Sequence, residues 1–250
     1  MKNSDSIGHV TGRSLFLDDI PVISGTLHAV VVASAIAYGR IKVMDLSLAL
    51  ALSGVARILT ARDIPGGNQI GGILPDEPLF ADKEVHFVGQ PIALVVAKTE
   101  RIARRAVNLV RIEYEEYPPV TDSRQAKEKG LLLFPPRVFK TGDVPATWQK
   151  CDHVFEGTAE SGGQEHLYLE TQGAYVYPRE NGCLMVHSAT QGPTIVQKTI
   201  AVVLGIPIHM IEVDVQRLGG ALEAKRIRLL PGPRWLPWLF FFFKNRSSWF

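Results

Sequence analysis

The sequence is poor in cysteine, with Cys151 and Cys183 as its only two thiols among 250 residues. Two thiols exclude a disulfide framework, and their spacing does not match a zinc site. They also exclude an iron–sulfur cluster held by this chain alone, because such clusters take about four thiolate ligands. We therefore expect both to be ordinary thiols of a protein in a reducing cytoplasm.

Long apolar runs are also absent. The most membrane-like stretch, Trp235 to Phe243, is interrupted by Pro237, whereas a spanning helix needs about 20 apolar residues. The stretch Met1 to Ser6 has no apolar core of the kind that a signal peptide carries. The sequence thus predicts a cytoplasmic chain with no membrane partner.

An excess of charge of one sign is missing over most of the chain. The net charge is +2, but residues 222–250 hold six Lys or Arg and one Glu, so that they carry +5 and residues 1–221 carry −3. A nucleic-acid-binding surface is normally basic. We therefore predict no nucleic-acid partner for the chain.

Common catalytic motifs are not found either. The sequence contains no serine–histidine–aspartate set, no phosphate-binding P-loop, no dinucleotide-binding glycine fingerprint and no zinc spacing. Its seven histidines are scattered. The sequence gives no protein-held metal site and no catalytic residue from these classes.

What is present is a mixture of strand and helix patterns. Helices and strands alternate without a strict strand–helix–strand rhythm, which favours an α+β fold. Thr99 is placed to cap a helix that continues towards Val110 with its apolar residues at helical spacing. The other elements predicted up to residue 122 are strands Leu27–Ala33, Val55–Leu59, Val85–Val88, Ile92–Ala97 and Arg111–Tyr114 and a helix from Asp45 to Ala51.

A polar, proline-containing linker is predicted for residues 123–150. A second unit follows over residues 151–221. The elements predicted in it are strands Val154–Thr158, Leu184–His187 and Ile211–Val215, a β-rich stretch from Gln164 to Tyr177 and a helix over Pro193–Leu204 that ends at Gly205.

Three segments of this second unit form an ordered motif. Gly163 to Glu170 reads Gly-Gln-Glu-His-Leu-Tyr-Leu-Glu, and Ala189-Thr190-Gln191 and Arg217-Leu218-Gly219-Gly220-Ala221 follow. In this order and spacing they resemble the molybdenum-cofactor domain of the xanthine dehydrogenase and aldehyde oxidase family. Residues 9–122 are similar to the hammerhead-type α/β domain of that family, through pieces such as Leu17–Ile20 and Val88–Pro91.

The resemblance stops after Ala221. The family continues Ala-Phe-Gly-Gly-Lys-Glu, whereas Ala221 to Arg226 reads Ala-Leu-Glu-Ala-Lys-Arg. When the family sequence is written in one possible choice of codons, deletion of a single T changes the translation to Ala-Leu-Glu-Ala-Lys-Arg. We therefore interpret residues 222–250 as an out-of-frame tail and residues 151–221 as a truncated molybdopterin-binding domain. The alternative is a natural, divergent C-terminus.

The resemblance implies a cofactor-binding role for Gln191, Gly219, Gly220 and Ala221. In the family, the glutamine at the position of Gln191 contacts an oxygen ligand of molybdenum, and an amide suits this because it both donates and accepts. The alternative is a helix-capping or structural amide. Adjacent glycines allow a close approach of the backbone to a ligand, although Leu222 and Glu223 then replace glycine-loop residues of the family.

Glu165 and His166 belong to the motif but are neighbours on a predicted strand, so their side chains should point to opposite faces. For them and for Glu170 we expect a structural role near the cofactor. No catalytic residue is assigned, because the general-base glutamate of the family lies beyond the break.

The resemblance further implies a molybdenum-dependent oxidoreductase that hydroxylates a purine or aldehyde carbon with water-derived oxygen. Its cofactor would be molybdenum–molybdopterin, and its partners the iron–sulfur and FAD-binding subunits or domains, in a bacterial-like split-subunit layout. We expect this truncated form to be inactive and residues 151–221 to be protease-sensitive, without a closed core. The alternative is a non-catalytic subunit-interaction or assembly module.

Overall fold

The computed structural model describes residues 5–72, 74–163, 170 and 172–220. Its α-helices are α1 Ser6–Val10, α2 Ser47–Leu50, α3 Glu100–Val107, α4 Ser123–Glu128, α5 Val144–Trp148 and α6 Pro193–Leu204. Its strands are β1 His28–Ala33, β2 Gly39–Asp45, β3 Val55–Thr60, β4 Glu84–Val85, β5 Pro91–Ala97, β6 Arg111–Glu116, β7 Ala174–Pro178, β8 Leu184–Ser188 and β9 Ile211–Asp214. The α+β expectation is confirmed.

The chain forms two compact units, one of Met1–Tyr117 with Leu167–Phe250 and one of Pro118–His166. The described strands lie in the first unit and form three sheets, with the orders β1-β5-β3, β4-β2-β6 and β7-β8-β9. The first two sheets are antiparallel. In the third sheet, β7 and β8 are antiparallel whereas β8 and β9 are parallel.

Local sequence accounts for the elements that were predicted best. Every residue of β5 is buried, because this strand lies between β1 and β3, and a central strand reads as a continuous apolar run. The Thr99 side chain accepts a hydrogen bond from the backbone N–H of Ile102 at 3.3 Å and so caps α3. The helix α6 has the predicted bounds and ends at Gly205.

Two expectations about strands were wrong, and one strand was not predicted. Residues 154–158 form no strand and are exposed, because their apolar side chains have no neighbouring strand to pair with in their unit. The strand predicted at Val85–Val88 is limited to Glu84–Val85, since residues 87–89 form a turn. The strand β2 was missed because it is mostly exposed and mixes polar with apolar residues.

The helix expected from Asp45 is a single turn, α2. The Asp45 Oδ1 atom accepts a hydrogen bond from the Ser47 backbone N–H at 2.9 Å. Hydrogen bonds from the Ser47 side chain and then its backbone hold the pKa of Asp45 below its usual range. The helix α2 begins at Ser47 with Leu46 at its N-cap position, so Asp45 precedes the cap rather than forming it, and the helix is shorter than predicted.

One hydrophobic core joins the two halves of the first unit. Leu59, Phe80 and Leu94 from the hammerhead-like half are buried in the same cluster as Val186 on β8 and Ile200 on α6. The expectation that residues 151–221 have no closed core is therefore wrong for residues 174–214. Their apolar faces are covered by the sheet β1-β5-β3 and its loops, which sequence patterns cannot show.

The unit Pro118–His166 is built differently. None of its described residues is buried. Leu133, Phe139 and Phe155 are each more than 90% exposed, so the short helices α4 and α5 have no apolar core to pack on. No helix in the described ranges is both long and apolar enough to cross a bilayer.

This contrast predicts where proteases cut. Among the described residues, trypsin should cleave fastest between residues 118 and 163, at sites such as Arg137 and Lys140, because cleavage follows local opening and this unit has no core to oppose it. Lys198 is exposed but lies on α6, which the shared core holds, so its cleavage should be slower. Mass spectrometry of timed digests measures both rates, and equal rates would contradict the shared core.

Candidate functional site

Two of the sequence-predicted site segments follow neighbouring parallel strands. The strands β8 and β9 pair in parallel from Leu184 opposite Ile211 to His187 opposite Asp214, with α6 between them in the chain. Gln191 comes three residues after the end of β8, and Gly219 and Gly220 come five and six residues after the end of β9. Because carboxyl ends of parallel strands meet at one edge of a sheet, both segments leave the sheet at the same edge, where ligands bind in open α/β sheets.

Gln191 lies in the tight connection between β8 and α6. The preceding residues Ala189 and Thr190 are buried, and the Thr190 hydroxyl accepts a hydrogen bond from the backbone N–H of Gly192 at 3.1 Å. These contacts fix the backbone on both sides of Gln191. Its side-chain carbonyl oxygen is buried, although the residue as a whole is half-buried.

Gly219 is bound closely to Glu170. The Gly219 backbone N–H donates to Glu170 Oε2 at 2.7 Å, and the Glu170 N–H donates to the Gly219 carbonyl at 3.3 Å. The other carboxylate oxygen, Glu170 Oε1, accepts from the backbone N–H of Leu17 at 3.2 Å. The structural role expected for Glu170 thus has a specific form, in which one carboxylate joins two backbone segments.

The rest of the predicted site is partly described. Gly220 has a φ of 153°, in the range that favours glycine. Ala221 lies outside the described residues, as do Glu165 and His166. The described residues include no group of three or more His, Cys, Asp or Glu side chains that could hold a metal ion.

Arg217 connects the same region to the start of the chain. Its Nη2 atom donates to Asp5 Oδ1 at 2.9 Å, and its Nη1 atom donates to the Leu15 carbonyl at 3.4 Å. The Arg217 side chain is 25% exposed and that of Asp5 46%, so water screens this ion pair in part. Sequence reasoning did not anticipate it, because the partners are about two hundred residues apart.

A histidine–aspartate pair lies beside these segments and was also missed. His187 Nδ1 and Asp214 Oδ2 are 2.9 Å apart, on directly paired residues of β8 and β9. Both line a small cleft with Arg217, and Tyr175 and Tyr177 lie against the imidazole ring. The alternating pattern of β9 marked Asp214 as a strand residue, but the pairing depends on the parallel register, which the sequence does not reveal.

The two parts of the chain match two known protein-family models. Residues 11–118 match the family model described as "Aldehyde oxidase and xanthine dehydrogenase, a/b hammerhead domain". Residues 128–232 match the model "Molybdopterin cofactor-binding domain". The chain belongs to the xanthine dehydrogenase and aldehyde oxidase family. The family resemblance read from the sequence motifs is confirmed, and so is the hammerhead domain followed by a cofactor-binding domain.

Individual relatives agree with this assignment. The chain is 40% identical over 228 residues to a xanthine dehydrogenase of Dictyostelium discoideum, covering 91% of this chain and 17% of that protein. It is 39% identical over 222 residues to aldehyde oxidase 2 of Macaca fascicularis, covering 88% and 16%. The aldehyde oxidoreductase of Desulfovibrio gigas aligns with a TM-score of 0.83 at 26% identity, covering 94% of this chain and 28% of that chain.

The chain matches only a small part of each relative. The chain spans about a sixth of the length of these two curated relatives. It corresponds to a fragment of a molybdenum hydroxylase subunit. The family to which this fragment belongs consists of molybdenum-dependent oxidoreductases.

Proposed function

We propose that this chain is the N-terminal portion of the molybdenum-binding subunit of a xanthine dehydrogenase-like hydroxylase. The observation that carries the proposal is the placement of Gln191 and the Gly219–Gly220 backbone at the same edge of the sheet β7-β8-β9. We place the hammerhead domain at residues 9–122, the linker at 123–150, the partial cofactor domain at 151–221 and the out-of-frame tail at 222–250.

The described residues fit a bound molybdopterin in their donor chemistry. Gln191 offers an amide whose oxygen is buried, and an amide can both donate to and accept from a polar ligand. The Gly219 N–H is occupied by Glu170, which leaves the contacts with the cofactor to the backbone from Gly220 onward, including Ala221. When bound, the molybdenum would activate water-derived oxygen for attack on a purine or aldehyde carbon.

The partners follow from the same proposal. The two cysteines of the sequence, Cys151 and Cys183, are fewer than the roughly four thiolates that an iron–sulfur cluster takes. Electrons would therefore leave through iron–sulfur and FAD-binding subunits or domains outside this chain. The chain as given would be inactive, since Leu222 and Glu223 stand where the family has glycine-loop residues.

The test begins with the coding DNA across codons 218 to 230. One additional T should restore Phe-Gly-Gly-Lys-Glu and an open frame. The protein made from that frame should carry pterin, measured by the fluorescence of the released and oxidised pterin, whereas the present chain should carry none. A restored protein that binds no pterin would contradict the proposal.

In the restored protein, Gln191→Ala should lower kcat on a purine or aldehyde substrate by about 100-fold or more, the scale seen when one polarising hydrogen bond is removed from an active site. Gln149→Ala changes an exposed glutamine of the other unit and should leave kcat unchanged. Equal kcat values for the two variants would exclude the role given to Gln191.

A second candidate function is an assembly module. Its support is that Val95, Ala103 and Ile58 belong to a core cluster made only of residues from the hammerhead domain. This domain therefore has a core of its own beside the shared one. If the restored protein lacks pterin yet co-purifies with the iron–sulfur or FAD-binding subunit, the module is favoured over the enzyme.

A further inference from the structure

Two backbone segments meet at one carboxylate in this structure. We call residues 217–220 the glycine loop and residues 5–17 the N-terminal segment. We propose that Glu170 is a positioning residue, whose carboxylate fixes the glycine loop against the N-terminal segment and so sets where Gly220 meets the cofactor. The last part of this statement rests on the function proposed above, whereas the fixing of the loop does not.

Each carboxylate oxygen of Glu170 accepts a hydrogen bond from a different backbone segment. Oε2 accepts from Gly219 N–H at 2.7 Å, and Oε1 accepts from Leu17 N–H at 3.2 Å. A bond from an N–H to an ionised carboxylate is stronger than one between neutral groups. A glutamine could accept only one of these two bonds, because its second terminal atom is a nitrogen that donates.

Close packing reinforces this arrangement. A Cβ atom on Gly219 would lie 3.2 Å from the Glu170 backbone nitrogen and 3.3 Å from its Cα, and closer still to its Cβ. Only glycine fits at this distance. The reciprocal bond from Glu170 N–H to the Gly219 carbonyl, at 3.3 Å, fixes which residue of the loop faces Glu170.

A second connection acts on the same loop from the same side. Arg217 bonds Asp5 and the Leu15 carbonyl, so both ends of the N-terminal segment contact the glycine loop. The bond from Arg217 to the Leu15 carbonyl is exposed, whereas the Arg217–Asp5 pair is part-buried, as are the two bonds to Glu170. Water still screens the ion pair in part, because its side chains are 25% and 46% exposed. Glu170 should contribute more of the restraint, because its carboxylate bonds a backbone N–H of the loop directly, whereas Arg217 acts through the end of a long side chain.

The decisive experiment measures amide exchange in this chain, comparing Glu170→Gln and Glu170→Ala with the unmodified protein by NMR or by mass spectrometry. We expect the Gly219 amide to exchange on the order of 10- to 100-fold faster in Glu170→Ala, the factor that corresponds to losing a hydrogen bond to a charged group. Glu170→Gln should show a smaller increase, because it keeps one acceptor. Trypsin cleavage after Arg217 should accelerate in the same order.

Glu160→Gln is the matched control, since Glu160 is exposed and lies in the other unit. It should change neither exchange at Gly219 nor cleavage after Arg217. Unchanged exchange in Glu170→Ala would overturn the proposal. Faster exchange spread over β7, β8 and β9 in Glu170→Gln would also overturn it, because the residue would then support the sheet as a whole rather than the loop.

The link to the cofactor has its own measurement. In the frame-restored protein, Glu170→Gln should lower the pterin content at least several-fold relative to Glu160→Gln, at an unchanged Tm. An unchanged pterin content would overturn that link. If every variant and the unmodified restored protein lack pterin while the exchange result holds, the proposed function fails and the fixing of the loop by Glu170 stands.

Discussion

Replacing Phe80 with alanine should lower the free energy of unfolding by about 3–5 kcal/mol, the range for truncating a buried phenylalanine. Phe80 is fully buried in the cluster that joins the hammerhead domain to β8, β9 and α6. Its position is fixed by Asn68, which donates to the Phe80 carbonyl and accepts from the Phe80 N–H, both at 2.9 Å. The cavity would therefore not close by a simple backbone shift.

The measurement is denaturant unfolding of this chain, followed by hydrogen exchange over residues 174–214. Because the core is shared, exchange should rise there as well as in the hammerhead domain. Phe139→Ala removes the same side chain from a position that is 93% exposed and should change the free energy of unfolding by less than about 0.5 kcal/mol. Similar losses in the two variants would show that Phe80 does not lie in a common core.

The second large effect is expected for Gly66→Ala, at about 3 kcal/mol. A Cβ atom at residue 66 would lie 2.6 Å from the Gly205 backbone nitrogen and 2.8 Å from the Val203 carbonyl oxygen, and closer still to the Val202 carbonyl. All three are backbone atoms at the end of α6, so a side-chain movement cannot relieve the overlap. The substitution would also disturb the bonds from Gly66 N–H to Val203 O and Gly67 N–H to Val202 O, at 3.0 and 2.9 Å.

Gly157→Ala provides the comparison, because a Cβ atom there would meet no heavy atom within 4 Å. Thermal unfolding should show a decrease in Tm of roughly 10 °C for Gly66→Ala, since about 1 kcal/mol corresponds to a few degrees in a chain of this size. Gly157→Ala should leave the Tm within about 1 °C. A small decrease in Tm for Gly66→Ala would mean that Gly66 and the end of α6 are not in contact in solution.

The sequence predicted what local chemistry determines. The bounds of α6, the Thr99 cap and the buried strand β5 each depend on a short stretch of residues and were confirmed. The strand predicted at residues 154–158 was wrong because strand formation depends on more than the local sequence. Their apolar pattern is that of a strand, but a strand requires a partner, and the pattern carries no information about whether one is nearby.

In the candidate site, too, the sequence indicated some residues and could not indicate their distant contacts. Gln191 and the two glycines could be selected from the order of motifs, whereas the carboxylate that joins Gly219 to Leu17 could not. Those contacts connect residues 49 and 153 positions apart. For Glu165 and His166, which lie outside the described residues, the expectation of opposite faces stays a prediction. The motif could not identify which distant backbone Glu170 would bind.

The shared core also has a consequence for synthesis on the ribosome. Leu59, Leu94 and Val96 are covered by residues that end at Ile211, so the sheet β1-β5-β3 is complete long before its covering helix is made. At roughly 5–20 residues per second, the segment from residue 97 to α6 takes roughly 5–20 s to translate. For that interval an apolar sheet face is exposed on the nascent chain. The hammerhead domain should therefore bind chaperones during translation and release them only after α6 has emerged.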